Sequence, residues 1–273
     1  MNRTILIFIC LLLCVGCSKQ EYNYTSVWDV AYDTFPKTKL DIHVPLEANQ
    51  NNPVIIYVHG GGWKSGDKSE WNIPKIEYFC NLGYICVSIN YRLSPEVKHP
   101  THIQDVANAI NWVEDNISLY GGNSSEMVLI GHSAGAHLVA LAVTNQKYIE
   151  QAGVDIFNIK KACILDAGAY LIMNDLIYED GNILEMVYSA IGDNSSPEIW
   201  MDFAPYNHID SKKYMPFLVM AHSDSPYRVE VNRIFCNQLD LCNKQYVEYI
   251  LDGYSHADVL SKIPIYFNEF NII

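Results

Sequence analysis

The stretch that most constrains this chain runs from Met127 to Val139 and reads MVLIGHSAGAHLV. Its four apolar residues Met127-Val128-Leu129-Ile130 predict a short buried strand. Gly131-His132-Ser133-Ala134-Gly135 follows, and Ala136, Leu138, Val139, Ala140, Leu141, Ala142 and Val143 then predict a helix packed on nearly all sides. A strand that reverses into a helix through G-x-S-x-G needs a turn so tight that the residues at ±2 must be small. That turn strains the serine backbone and lifts its Oγ out of the sheet. The first N–H groups of the new helix face any oxyanion formed there. Ser133 is therefore the candidate nucleophile.

The rest of the chain has the alternation that such a turn belongs to. Two strands are expected between Val27 and Pro45, with Asp41–Pro45 alternating in polarity. Pro53–Val58 is a continuous apolar run, as in a strand buried on both faces. A helix near 72–82, a strand at 84–89 and a helix at about 103–117 come next, the last with Val106, Ala109, Ile110 and Val113 at the helical period. Beyond the serine, strands are expected at 161–166, 216–221 and 246–250, with a helix over about 227–242. Strand and helix in this order predict an α/β fold: a mostly parallel central sheet with helices on both faces. A length of 273 residues suits one such domain. Residues 168–204 are less regular, broken by Gly181, Gly192 and Pro197, and are expected to form a small lid or pocket wall. Tyr170, Met173, Met186, Tyr188 and Trp200 are candidates to line it, with core packing the alternative for each.

A second informative run opens directly from the buried strand ending at Val58: His59-Gly60-Gly61-Gly62-Trp63. Bare main chain lets a substrate approach closely, and two successive N–H groups can then point at one oxygen. His59 is expected to order this loop through backbone hydrogen bonds. Trp63 either packs against the substrate or covers the loop.

A serine hydroxyl needs a base, and the base needs a third group to orient it. Four histidines follow Ser133. His137 sits on the elbow helix and is expected to point away, His208 precedes a strand, and His222 ends one. His256, after the last strand and before the final helix, is where the base belongs in the order serine, acid, histidine. For the acid, Asp224 in His222-Ser223-Asp224-Ser225-Pro226 follows a late strand and is the choice, with Asp166 at another strand end as its rival. The expected catalytic set is Ser133, Asp224 and His256.

At these residues the chain resembles the α/β-hydrolase superfamily, in its hormone-sensitive-lipase-like esterase branch. The resemblance rests on His59–Trp63, Tyr91-Arg92-Leu93-Ser94-Pro95-Glu96 and Gly131–Gly135, and it spans about Val27 to the C-terminus. The segment Gly131–Leu138, with Asp224-Ser225-Pro226 and Ser255-His256-Ala257-Asp258, is also similar to arylformamidases, which hydrolyse N-formylkynurenine. The resemblance implies an oxyanion hole from the N–H groups of Gly61, Gly62 and Ala134. It implies a serine carboxylesterase, or an amidase or formamidase with the same triad, and no cofactor or metal. Trp63 and Tyr170 are the candidate substrate-pocket residues. A surface lipoprotein that binds ligands without turnover is the alternative from another class, and it has no need of a strained elbow.

The N-terminus bears on where the chain works. Asn2-Arg3, the apolar stretch Thr4–Val15 and Gly16-Cys17-Ser18 resemble a bacterial lipoprotein signal, with cleavage before Cys17 and lipid attachment to its thiol. Cys14 stands where that pattern prefers leucine, and ordinary secretion is the alternative. Residues 1–17 are thus read as the leader, 18–26 as a tether and 27–273 as the single catalytic domain. An exported, lipid-anchored protein facing the periplasm or held at the outer membrane follows. Extracellular esters, such as acetyl or aromatic acyl groups on glycans, would suit it. The net charge of −13, with no cationic run, argues against nucleic acid as a partner. The five cysteines beyond the leader, Cys80, Cys86, Cys163, Cys236 and Cys242, lack zinc-site spacing and are expected as buried free thiols.

Overall fold

The computed structural model describes residues 22–171, 181–193, 195–209 and 215–270. Its strands are β1 (Tyr24–Ala31), β2 (Lys39–Pro45), β3 (Asn52–Val58), β4 (Ile85–Ile89), β5 (Gly122–His132), β6 (Ile159–Leu165), β7 (Phe217–His222) and β8 (Tyr246–Leu251). They form one sheet in the order β1-β2-β4-β3-β5-β6-β7-β8. β2 is antiparallel to both its neighbours, and every other pairing is parallel. The helices are α1 (Ile73–Asn81), α2 (Thr101–Asn116), α3 (Ala134–Thr144), α4 (Lys147–Ala152), α5 (Gly181–Ile191), α6 (Pro197–Phe203), α7 (Pro226–Leu241) and α8 (His256–Phe270).

The run at β3 is apolar throughout because both of its faces are covered. Val54, Ile56 and Val58 point into one core with residues of α2, α3 and α7. Ile55 and Tyr57 point into the other with residues of α1 and α8. The period of two thus survives inside a sequence that shows no polar alternation. α3 is buried at every position from Ala134 to Thr144, as a helix seated between sheet and outer helices must be. α7 starts where Ser225 caps it by accepting from the Arg228 N–H, with Pro226 in the first turn.

Two expectations are revised. β1 begins at Tyr24, so the last residues of the expected tether are sheet; Cys17 and the rest of the leader lie outside the described residues. The segment 168–204 holds two short helices, α5 and α6, because its breakers fall at helix ends and not in their middles, Gly181 being the first residue of α5. Gly192 takes a φ of +100° just after α5, and Pro197 sits in the first turn of α6. Cys80, Cys86, Cys163 and Cys236 are buried free thiols, while Cys242, capping the end of α7, is free but only half-buried.

Candidate active site

The turn from β5 into α3 holds Ser133 at φ 56°, ψ −120°. This is a region that non-glycine residues enter at a cost of roughly 1–3 kcal/mol. The surrounding glycines show why the sequence has no freedom there. A Cβ at Gly131 would lie 2.2 Å from the Gly135 carbonyl oxygen, and one at Gly135 would lie 2.1 Å from that of Val58. The Ser133 N–H donates to the Leu165 carbonyl at 2.9 Å, which ties the turn to the end of β6.

His256, the first residue of α8, meets the serine from the far side of the sheet's C-terminal edge. Its Nε2 lies 2.9 Å from Ser133 Oγ, and its Nδ1 lies 2.5 Å from Oδ2 of Asp166. With an ionised carboxylate at Nδ1, that nitrogen carries the proton and Nε2 presents its lone pair to the serine hydroxyl. The carboxylate behind the histidine is therefore Asp166, and the assignment to Asp224 is corrected. Asp224 is exposed in the turn after β7. That turn is drawn toward β8: the Ser223 N–H donates to Leu251 O at 2.9 Å, and Ser223 Oγ donates to Asp252 at 2.9 Å. β6 and β7 are adjacent and parallel, with Leu165 opposite Met220. Both strand ends reach the same edge, so chain order alone does not distinguish them.

Asp166 is held on every side. It has a φ of 59° and is fully buried, and its N–H donates to Met220 O at 2.7 Å. Oδ2 accepts from His222 Nδ1 at 2.6 Å as well as from His256, and the His222 N–H reaches Oδ1 at 3.4 Å. Arg228 donates from Nη1 to the Asp166 carbonyl oxygen. Burial alone would raise the carboxyl pKa. The hydrogen bond from His256 and the charge of Arg228 outweigh it and hold the group below the ordinary carboxylate value.

The glycine loop packs directly on Ser133. A Cβ on Gly60 would lie 3.1 Å from Ser133 Cβ. Gly61, Gly62 and Trp63 all take positive φ, at 97°, 60° and 58°, and the N–H groups of Lys64 and Ser65 close the turn onto Gly61 O. His59 lies under the loop, stacked on Tyr91 with ring centroids 4.4 Å apart and with Nδ1 2.8 Å from Gly60 O. Gly62, Trp63 and Ala134 line one small pocket with Ser133, His137, Gly168, Ala169, Ile183, Met186 and Arg228. Its empty space, counting the mouth, is about 270 Å³. Gly61 lines a neighbouring surface groove instead, with Lys64 and Met186.

A family model, BD-FAE, matches residues 40–239, a span that takes in Ser133, Asp166 and Arg228. The chain belongs to the BD-FAE family. It is 30% identical over 242 residues to the probable carboxylic ester hydrolase LipM of Mycobacterium tuberculosis, covering 83% of this chain and 54% of that protein. It is 25% identical over 271 residues to the isoprenylcysteine alpha-carbonyl methylesterase ICME of Arabidopsis thaliana, covering 93% of this chain and 63% of that one. The chain thus spans little more than half the length of these curated relatives. Among solved structures, esterase B from Lactobacillus rhamnosis superposes with a TM-score of 0.75 at 19% identity, covering 92% of this chain and 84% of the other. A truncated carbohydrate esterase from gut microbiota superposes at 0.74 and 21%, covering 93% and 99%. At such identities the likeness is one of fold, and the fold is that of the α/β-hydrolases.

Within this member of the family two residues depart from expectation at the pocket, Tyr170 and His137, while Met186 lines it as a candidate should. Tyr170 is not in its lining: the ring is fully buried, stacks on Phe235 at 4.4 Å and donates its hydroxyl to Asn232 at 3.1 Å. Met186 lines the pocket, Tyr188 and Trp200 meet edge to face at 5.5 Å, and Met173 lies outside the described residues. His137 lines the pocket although its place on α3 was expected to turn it away; its Nε2–H donates to Phe203 O at 2.8 Å. His132, His222 and Arg228 were not singled out for the site. His132 stacks on His256 with centroids 4.7 Å apart, and its Nε2 lies 2.9 Å from the His256 carbonyl oxygen. Burial and then the neighbouring His256 charge push His132 down to about 4, so it stays neutral and serves as the N–H donor. The one available signal was positional: His132 flanks the serine, and His222 ends β7 beside the acid.

Proposed function

We propose that this protein is a serine ester hydrolase in which Ser133, His256 and Asp166 act together. The observation that carries the reading is the continuous chain from Ser133 Oγ through both ring nitrogens of His256 to the buried Asp166 carboxylate. Ser133 Oγ attacks the ester carbonyl carbon while its proton passes to His256 Nε2. The oxyanion would be received by the main-chain N–H groups of Gly61 and Gly62 in the glycine loop and of Ala134 at the start of α3, with the Gly61 carbonyl oxygen closing the loop's turn. Collapse expels the alkoxide, which leaves as the alcohol with the proton from His256. Water then attacks the acyl-enzyme, gives a proton to His256, and the carboxylic acid departs as Ser133 recovers its hydrogen. Asp166 fixes the imidazole tautomer and stabilises the imidazolium formed in each step. The names of the relatives, a carboxylic ester hydrolase and a methylesterase among them, support the same chemistry.

The substrates we favour are acyl groups on extracellular glycans, a reading supported by the lipoprotein-like leader ending at Cys17 and by the fold likeness to a carbohydrate esterase. Attachment of lipid at Cys17 would be the only membrane tie in this reading. Among the described residues no helix is long and apolar enough to cross a membrane.

The test is turnover of p-nitrophenyl acetate, butyrate and octanoate by the wild type and by Ser133→Ala. Loss of at least about 10⁴-fold in the variant is expected. Undiminished turnover in folded Ser133→Ala would remove the nucleophile from the mechanism. N-formylkynurenine cleaved far faster than any ester would replace the ester reading with the formamidase one.

A further inference from the structure

Holding the Asp166 carbonyl occupies only part of what Arg228 offers. A guanidinium carries five N–H donors; here Nη1 donates to that carbonyl, and no carboxylate among the described residues lies within ion-pair distance of the group. It nevertheless lines the pocket beside Ser133 together with Trp63, Ile183 and Met186. Its charge already favours the ionised Asp166 carboxylate, and the half-buried guanidinium keeps N–H donors that this one carbonyl does not engage. Two residues of the same lining each carry a buried polar atom without a hydrogen-bond partner among the described residues, Trp63 Nε1 and His137 Nδ1. Trp63 Nε1–H is a donor. His137 Nδ1 is an acceptor, because Nε2–H is engaged by Phe203. Buried polar groups in folded proteins are nearly always paired, and hydrogen-bonding capacity left open on residues around one pocket points to a ligand there. The protein's net charge of −13 repels anions in general, so a cation at this one point serves local recognition and not long-range attraction.

Resting on the ester-hydrolase reading, we propose that the substrate is an ester bearing a carboxylate a few atoms from the scissile carbonyl, and that Arg228 binds that carboxylate. The guanidinium meets a carboxylate through parallel N–H···O bonds, and Trp63 Nε1–H supplies a further donor. A hydroxyl on the same molecule would satisfy His137 Nδ1. The carboxylate could belong to either half of the ester, the acid or the alcohol, and the chemistry that recognises it is the same.

The experiment measures kcat/KM for two isosteric pairs: monoethyl succinate against ethyl succinamate, and acetoxyacetate against acetoxyacetamide. The first pair carries its charge in the acid half and the second in the alcohol half. The wild type should prefer the charged member of one pair by about tenfold or more, the scale of a charge-assisted hydrogen bond. In Arg228→Met and Arg228→Gln the preference should fall to about one, and Arg228→Lys should retain part of it. All variants are checked for folding by circular dichroism. Arg228 also holds Asp166, so absolute rates on neutral esters will fall as well, and the ratio is what reads recognition. A wild type that cleaves both members of each pair equally, or variants whose rates on charged and neutral esters fall in parallel, would reduce Arg228 to a support for Asp166. Absence of any Ser133-dependent ester cleavage would instead sink the hydrolase reading itself.

Discussion

The assignment of the acid turns on single residues. Asp166 takes a left-handed backbone, is fully buried and accepts from two histidine rings; Asp224 stands exposed one strand away. Asp166→Asn should keep the shape but present an amide to His256 Nδ1, which then loses the partner that fixes its tautomer. Turnover is expected to fall about 10³–10⁴-fold, while Asp224→Asn should remain within a few-fold of wild type. The reverse pattern in steady-state kinetics would return the acid to the β7 turn. Ser133 and His256 were legible because each has a unique address: a serine between obligatory glycines, and a histidine after the last strand. The acid was not, because two parallel neighbours end at one edge and each carries an aspartate there. What separates them is the direction of a turn, set by hydrogen bonds from Ser223 to Leu251 and Asp252, and no residue pattern announces that.

At the scale of elements, the junction of β5 and α3 carries the geometry of the site and leaves least room for change. A methyl group at Gly131 or Gly135 would collide with main-chain atoms at 2.2 and 2.1 Å, and neither strand nor helix can yield without displacing β3 or the serine. Gly131→Ala and Gly135→Ala are each expected to cost about 3 kcal/mol or more, and so to lower the melting temperature by roughly 6–12 °C. Gly253 offers the contrast: its φ is +73°, but nothing lies within 4 Å of the added Cβ, so Gly253→Ala should cost only about 1 kcal/mol. Thermal melts of the three variants give the ranking, and a Gly131→Ala protein that melts with Gly253→Ala would refute the steric account. The order of strands and helices was legible at this scale because apolar runs and breakers alternate cleanly up to β6. The helices α5 and α6 were harder to see, because Gly181, Gly192 and Pro197 stand at their ends and read as breaks in the pattern.

Across the whole molecule, the chain buries several histidines in neutral form, and this couples its stability to pH. Burial pushes His43 and His132 down to about 4 and His102 and His137 down to about 3. In the unfolded chain each should titrate near its ordinary value of about 6.5. Between that value and the folded one the unfolded state binds more protons, so stability rises with pH through this window and is lost as pH falls through it. Above about 6.5 both states are neutral at these rings and the contribution is complete. Asp166 and Asp202, both held below the ordinary carboxylate value, act in the same sense but at lower pH, where their own protonation begins. Urea midpoints should therefore be flat from about pH 7 to 8.5 and drop steeply toward pH 5. Each buried imidazole is expected to contribute about 1–2 kcal/mol of the loss at pH 5. His102 is not among the residues lining the Ser133 pocket and tests this singly: its Nε2 lies 3.1 Å from Ser94 Oγ and its Nδ1 has no partner among the described residues. His102→Gln should lower the stability at pH 7.5 yet reduce its slope between pH 6.5 and 5 by close to one proton. Equal midpoints for the wild type at pH 7.5 and 5 would mean that these rings accept protons inside the fold, and that the cores on the two faces of the sheet are more open to water than their packing indicates.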